Sequence, residues 1–319
     1  MTLALQLAVS CALIAALVFI VDWQGLQRAA GALSLAGVAG VTLLNFLAQA
    51  VLIWRWRALL ATVGVRESLA RSWRTVFAGL FLNNFMPGTL GSDGLRILLM
   101  GRACGSMPVA IGAIAYERAM QVAIYVVLVM LAALWPMAWL QPWLKLIVLA
   151  GGGCAILVLL ALLKWLSGRK IGPAPRDAGL LVRGWAFLGA MLAETGRMQV
   201  RLRRHRLAQA QFFLSSLANV ACTLGLLALA LGDLGHPAGL AIIAFALGVA
   251  AIVSGLPVSF GGIGVFEAAL VLFLGLGGVP SGDALLVALV VRAAAVLVSM
   301  TGLPGALMLW REGTGRRNP

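Results

Sequence analysis

Long apolar runs alternate with short basic segments along most of this chain. A helix needs about 20 apolar residues to cross a bilayer core about 30 Å thick. The runs of this length predict six full spans, near 2–21, 35–54, 107–134, 144–163, 208–232 and 284–310. The pattern therefore predicts an all-α polytopic membrane protein, organised as a single integral membrane domain over residues 1–319.

Two further apolar stretches, 75–102 and 238–280, are interrupted near their middle by the pattern P-x-x-x-G. Polar backbone is tolerated at membrane depth only where protein or a wet cavity surrounds it. We therefore predict two re-entrant helical hairpins that open on opposite sides, as in inverted-repeat transporters. The residues expected to form the breaks are Asn83, Pro87, Gly88, Gly91, Pro257, Gly261, Gly262 and Gly264.

The charge distribution supports a membrane location and predicts the topology. Hydrophobic residues make up 62% of the chain and charged residues 11%. The chain contains 24 Lys and Arg but only 10 Asp and Glu, which gives a net charge of +14. The basic residues cluster in 55–74, 164–206 and near the C-terminus. The positive-inside rule then places these segments and both termini in the cytoplasm. We expect a bacterial-type inner membrane and an anionic inner leaflet as a partner, and no nucleic acid.

Two local patterns refine this topology. The run Trp54-Arg55-Trp56-Arg57 is typical of an interface anchor, so the second span is expected to end at Trp54. Within 164–206, an amphipathic helix is predicted to lie on the inner leaflet. Its apolar side is formed by Leu181, Trp185, Leu188 and Leu192, and its basic stripe by Arg197, Arg201 and Arg204.

Charged side chains inside the apolar segments are the candidate functional residues, since each costs about 2.5–3.5 kcal/mol to insert. One interpretation is structural pairing, of Asp93 with Arg96 and of Glu267 with Arg118 or Arg292. The other is a cavity in which arginines hold a phosphate, helped by N–H groups at the breaks. The predicted substrate-binding set is Asn84, Asp93, Arg96, Glu117, Arg118, Glu267 and Arg292.

The sequence favours transport over catalysis. It contains no P-loop, no H-E-x-x-H and no Ser–His–Asp set, and its four cysteines are scattered. We therefore expect no catalytic residues, no metal and no cofactor.

The two hairpins resemble a flippase-like membrane family that includes the transmembrane region of lysylphosphatidylglycerol synthases. The resemblance rests on N-x-x-P-x-x-x-G-x-D-x-x-R from Asn84 to Arg96, on Glu117-Arg118, and on Leu256-Pro257 through Glu267. Ser92 departs from it, because Gly-Gly-Asp is commoner there than Gly-Ser-Asp. Bifunctional members add a soluble aminoacyltransferase domain. The resemblance therefore implies lipid translocation here without lipid modification.

These observations predict a lipid translocase that moves an anionic or lipid-linked headgroup between leaflets through a midplane cavity between the hairpins. The substrate would be a membrane phospholipid or a polyprenyl-phosphate-linked lipid. One alternative is a membrane-embedded transferase with Asp93 or Glu117 as its base, and another is a structural or assembly subunit. The sequence leaves a homo-oligomer open.

Overall fold

The computed structural model describes residues 23–86, 90–169, 180–236, 238–255 and 264–315. These ranges form thirteen helices: α1 (Trp23–Ala32), α2 (Leu35–Ala50), α3 (Leu52–Thr62), α4 (Leu69–Asn83), α5 (Leu90–Cys104), α6 (Met107–Ala133), α7 (Pro142–Ser167), α8 (Leu180–Arg204), α9 (Arg206–Asp233), α10 (Leu240–Ser254), α11 (Val265–Leu276), α12 (Ser281–Met300) and α13 (Leu303–Gly315). The predicted first span and the predicted break residues Pro87, Gly88, Pro257, Gly261 and Gly262 lie outside the described residues.

Within the described ranges, five helical segments are long and apolar enough to cross a membrane. They are Leu35–Thr62, which joins α2 and α3, and Met107–Ala133, Pro142–Ser167, Arg206–Asp233 and Ser281–Met300. The all-α polytopic membrane fold predicted from the apolar runs is thereby confirmed.

Two predicted span boundaries are wrong. The second span does not end at Trp54, because the helix continues to Thr62 with Arg55 and Trp56 buried inside the protein. The last apolar run is not one helix over 284–310, since it breaks at Thr301–Gly302 between α12 and α13. Gly302 lies directly against the backbone of Phe77 in α4, an approach that leaves no room for a side chain.

The two interrupted stretches each form a pair of short helices packed against each other. The first hairpin is α4 and α5, of 15 residues each, and the second is α10 and α11, of 15 and 12 residues. These helices extend slightly beyond the predicted 75–102 and fall within the predicted 238–280. All four are shorter than a full span, and their re-entry into a membrane remains a prediction.

The two hairpins approach the long helix α6 from opposite ends. Gly101, near the end of α5, lies against Met107 at the start of α6, whereas Gly248 of α10 lies against Val129 near its other end. Phe245, one turn earlier in α10, packs against Trp139 beyond the end of α6. In both hairpins, the helix ends next to the predicted break are therefore directed toward the middle of α6.

Each hairpin packs into its own apolar core. The core around the first hairpin includes Trp56, Phe77, Met100, Ile114 and Phe212. The core around the second includes Val41, Leu227, Leu247, Leu270 and Leu285. The helices α6, α9 and α12 run through both cores. The middle of the bundle, between the two cores, is where polar residues collect.

The segment 164–206 contains the predicted helix, as α8, but only part of it is exposed. Trp185 is 74% exposed and Leu188 45%. The second half packs on α6 and α7, where Gly112 meets the backbone at Thr195 and Gly196 meets the end of α7. The idea of a helix lying wholly on the surface is therefore wrong for its C-terminal half, where small residues permit close helix packing.

Candidate functional site

A cavity of about 560 Å³ lies in the polar middle of the bundle. Its volume falls within the range of about 300–1,000 Å³ usual for small-molecule pockets. Both hairpins contribute to its wall through residues close to their predicted breaks. These are Asn83 and Ser92 in the first hairpin and Ser254 and Gly255 in the second. The structure therefore brings the helix ends next to the two predicted breaks to one site.

The end of the first hairpin is held by one amide side chain and one glycine. The Oδ1 atom of Asn83 accepts a hydrogen bond of 2.7 Å from the backbone N–H of Ser92, which caps the start of α5 from the preceding helix. A Cβ atom at Gly91 would lie 2.5 Å from the carbonyl carbon of Leu82. Only glycine allows α4 and α5 to approach this closely.

Glu117 of α6 is fully buried and bound by two arginines from other helices. Arg55 Nη2 of α3 lies 2.7 Å from Glu117 Oε1, and Arg96 Nη1 of α5 lies 2.8 Å from Oε2. A buried carboxylate needs such partners, because an unpaired charge in the interior carries a large desolvation cost. Glu117 thus ties α3 and the first hairpin to α6.

Asp93 extends this network toward the cavity. Its Oδ1 atom lies 2.7 Å from Arg96 Nη2 and 2.6 Å from Arg118 Nη2, and its Oδ2 atom accepts a 2.9 Å bond from Arg118 Nε. The two bonds from Arg118 form a forked pair, the geometry that makes arginine–carboxylate contacts strong and directional. The result is a continuous chain of alternating charge: Arg55, Glu117, Arg96, Asp93 and Arg118.

Arg55 is a site residue that sequence reasoning missed, because its neighbours made it look like part of a membrane-interface anchor. Residues two apart on a helix point to nearly opposite sides. Arg57 accordingly lies 5.3 Å over the half-exposed Trp54, while Arg55 is 4% exposed. The available signal was the charge of Glu117, which requires a counter-charge from a neighbouring helix.

The second hairpin carries one carboxylate, Glu267, at the start of α11. Its Oε2 atom accepts a 2.8 Å bond from the N–H of Gly264, and its Oε1 atom lies 2.7 Å from Arg292 Nε and Nη2. Gly264 has φ of +84°, which other residues rarely adopt. Of the two partners predicted for Glu267, Arg292 is right and Arg118 is wrong, because Arg118 is bound to Asp93.

Asn84 is not one of the residues that line the cavity. Its side chain donates a 2.7 Å hydrogen bond to Ser299 Oγ of α12. It therefore links the end of α4 to a spanning helix, and contact with a substrate remains a prediction.

The cavity wall is positively charged. Arg55, Arg96, Arg118 and Arg292 all line it, and no Asp or Glu does so among the described residues. The three carboxylates that bind these arginines leave one positive charge in excess. In addition, the Nε–H groups of Arg55 and Arg96 are buried and have no acceptor in the described part of the chain. Such a wall is suited to holding an anion.

The fold and this cavity define a polytopic helical membrane protein with an arginine-lined chamber between two helical hairpins. The family model for the lysylphosphatidylglycerol synthase TM region matches residues 3–302, and the chain belongs to this family. It is also similar to a UPF0104 membrane protein of Pyrococcus horikoshii, with 29% identity over 119 residues. That match spans 35% of this chain and 36% of the relative, about a third of each.

Proposed function

We propose that this protein is a translocase that moves an anionic phospholipid, or a lipid linked to polyprenyl phosphate, between the two leaflets. The observation that carries the proposal is the wall of four arginines in a cavity where both hairpins meet. Arginine binds phosphate by forked hydrogen bonds, and burial strengthens them. Arg118 and Arg292 keep side-chain exposures of 35%, so their guanidinium groups are the ones accessible to a phosphate in the cavity.

The carboxylates serve this role by fixing the arginines in place. Arg96 and Arg118 share Asp93, so neither guanidinium can swing freely away from the wall. Binding sites held by such supporting contacts need less reorganisation when the ligand enters. The positive excess then remains available to a headgroup passing through the cavity.

The geometry disfavours the alternative of a lipid transferase. Its proposed bases would be Asp93 or Glu117, and a general base must come within hydrogen-bond reach of the proton it removes. Glu117 is fully buried, with each oxygen bound by a guanidinium, and neither carboxylate lines the cavity. A purely structural subunit is disfavoured because paired charges would need only balance, whereas this wall has excess positive charge.

Transport can be tested with purified protein in liposomes that contain fluorescent phosphatidylglycerol. We expect label to cross the bilayer without a new lipid product, and Arg118→Gln to slow it by about tenfold or more, the cost of a lost charge-assisted hydrogen bond. Arg102→Gln is the matched control, because Arg102 is an exposed arginine near the end of α5. A new lipid species in the mass spectrum would favour the transferase, and neither movement nor product would favour the structural subunit.

We also propose that the protein resides in a cytoplasmic membrane with both termini inside. In this topology the start of α6 faces the cytoplasm and the segment after it faces outward. Ala138 and Ala103 are exposed small residues beyond opposite ends of α6. In a cysteine-free background, an impermeant maleimide added to intact cells is expected to label Ala138→Cys and not Ala103→Cys. The reverse pattern would invert the topology.

A further inference from the structure

A second pocket lies at the surface of the bundle, where the end of α3 packs beside the start of α9. Its volume is about 280 Å³, and its polar lining residues are Arg57, Arg66, Glu67 and Gln211. It shares no lining residue with the central cavity. The volume is close to the lower limit of about 300 Å³ for small-molecule pockets, which suits a small headgroup.

The two arginines of this pocket lack the carboxylate partners that hold the arginines of the central cavity. The side chains of Arg57 and Arg66 form no hydrogen bond or ion pair with any residue that the structure describes. The guanidinium of Arg57 lies 5.3 Å over the ring of Trp54. Stacking on an aromatic face leaves the N–H groups of an arginine available as donors.

Glu67 is the one carboxylate on this wall within the described ranges, and neutral groups hold it. Its Oε2 atom accepts a 3.0 Å bond from Trp56 Nε1 and a 2.8 Å bond from Ser72 Oγ. Two arginines and one carboxylate leave the pocket with one positive charge in excess. This excess matches the single negative charge of a phosphodiester, and arginine binds phosphate oxygens well.

The helices on either side of the pocket run antiparallel. Asn219 Nδ2 of α9 donates a 2.8 Å bond to the carbonyl oxygen of Ala48, whereas Asp233 at the end of α9 binds Ser34 before the start of α2. The helices α2 and α3 form one continuous span, Leu35–Thr62. Levels along the two sides of the groove can therefore be counted from the bond between Asn219 and Ala48.

An exposed apolar surface continues from the pocket along the same groove. Trp54 stands six residues beyond Ala48. Leu214 stands five residues before Asn219, so the two side chains are at nearly the same level. Trp54 is 45% exposed and Leu214 is 66% exposed. Arg57 follows Trp54 by about one turn, so the groove is polar at one end and apolar in the next turn, as a phospholipid is.

We infer that this pocket binds the headgroup of an anionic phospholipid of the cytoplasmic leaflet, with an acyl chain lying along Trp54 and Leu214. This lipid is retained at the surface of the bundle and is distinct from any lipid carried through the central cavity. The inference rests on the cytoplasmic location proposed for this end of the bundle, and not on translocase activity. Anionic lipids are concentrated in that leaflet, and tryptophan is favoured at its interface.

The position of the pocket connects it to the buried charges through α3. Arg57 stands two residues after Arg55, which binds the buried Glu117. A lipid phosphate that binds both Arg57 and Arg66 would hold the end of the helix that carries Arg55. Because a ligand that binds only the folded protein stabilises it, we expect this lipid to raise the thermal midpoint in detergent.

The test uses phosphatidylglycerol and phosphatidylethanolamine that carry a photoactivatable group in one acyl chain. After illumination of proteoliposomes, peptide mass spectrometry is expected to find about tenfold more phosphatidylglycerol than phosphatidylethanolamine attached around Leu214. Arg57→Gln and Arg66→Gln are each expected to bring this ratio close to one. Arg71→Gln is the matched control, because Arg71 is an exposed arginine of the same basic segment and does not line the pocket.

The outcomes separate this site from the proposed transport. Arg118→Gln is expected to slow lipid movement and to leave the labelling ratio unchanged. A ratio that falls in Arg118→Gln would mean that the label reports the central cavity, and a ratio that falls in Arg71→Gln would mean that it reports general surface charge. Either result would overturn the second site, as would an unchanged ratio in both pocket variants or equal labelling by the two lipids in the wild type.

Two further results would change the ligand. Stronger labelling by phosphatidylethanolamine would mean that Glu67 binds the ammonium group, and would overturn the selectivity for an anionic lipid. Loss of the label on addition of free glycerol 3-phosphate would mean that the pocket takes a soluble phosphate, and would overturn the lipid as its occupant. Absence of lipid movement with the labelling ratio intact would overturn the translocase alone.

Discussion

The end of the first hairpin is tied to the bundle by a chain of five charged residues, whereas the second is tied by one carboxylate and one arginine. The first chain runs through α3, α5 and α6 and centres on the fully buried Glu117. The second pair, Glu267 and Arg292, joins only α11 and α12. Arg118 and Arg292 have the same side-chain exposure of 35%, so the two hairpins differ in the number of linked ion pairs that hold them.

This difference indicates separate roles for the two hairpins. A network in which each carboxylate binds two arginines has few independent ways to open. A single pair with an accessible arginine can break and be hydrated at much lower cost. We therefore expect the first hairpin to hold the arginine wall in place and the second to be the more easily displaced.

Removing the charge of Glu117 should have the largest effect. Glu117→Gln leaves Arg55 and Arg96 buried with one fewer counter-charge, and breaking a buried ion pair in this way costs about 3–5 kcal/mol. We expect a clearly lower thermal midpoint in detergent. Glu194→Gln is the control, because its partners Arg197 and Arg201 are about one-third exposed and can be hydrated. Equal losses in the two variants would contradict the rigid role of the first hairpin.

Adding a side chain at the close contact between α4 and α5 should have the next largest effect. Gly91→Ala places a Cβ against the backbone of Leu82, and overpacking of this kind costs about 1–3 kcal/mol. Gly94→Ala in the same helix meets open space and should be neutral or slightly stabilising. Thermal unfolding of both variants checks the prediction, and a harmless Gly91→Ala would show that the contact is not required.

A double-mutant cycle on Glu267 and Arg292 should give a coupling energy of roughly 1–2 kcal/mol. The same cycle on Glu267 and Arg118 should give almost none, because Arg118 is bound to Asp93. Unfolding free energies of the single and double variants supply both values. Coupling between Glu267 and Arg118 as strong as that with Arg292 would mean that the second hairpin joins the larger network.

The hairpins themselves could be predicted from sequence because their cause is local. Proline and glycine interrupt the apolar runs, and Asp93 and Arg96 stand one turn apart on the same helix. The partners of Glu267 could not be chosen, since the sequence does not say which helices are neighbours.

The sequence could not predict the buried position of Arg55 for a related reason. Alternating Trp and Arg is common at membrane interfaces, and local pattern cannot reveal that one of the two arginines faces a buried carboxylate. The long-range packing of helices also explains why the sequence does not predict the part of the cavity wall that α2 and α9 form. Asn45 and Thr223 are single polar residues in long apolar runs, and only the packing of the two helices brings them together.

The smallest expected effects on stability come from the two adjacent asparagines at the end of α4, and they should differ from each other. Asn83→Ala removes the cap on Ser92 N–H and should cost about 1 kcal/mol, as lost helix caps do. Asn84→Ala removes an accessible bond to Ser299 and should cost about 0.5 kcal/mol, the lower end for a hydrogen bond. Chemical or thermal unfolding of both variants supplies the comparison. Because the cap acts within the first hairpin and the Ser299 bond acts between that hairpin and α12, Asn83→Ala should also lower lipid transport through its effect on the arginine wall. A larger loss from Asn84→Ala would instead assign the position of this hairpin to α12, and the rigidity inferred for the charged network would then be wrong.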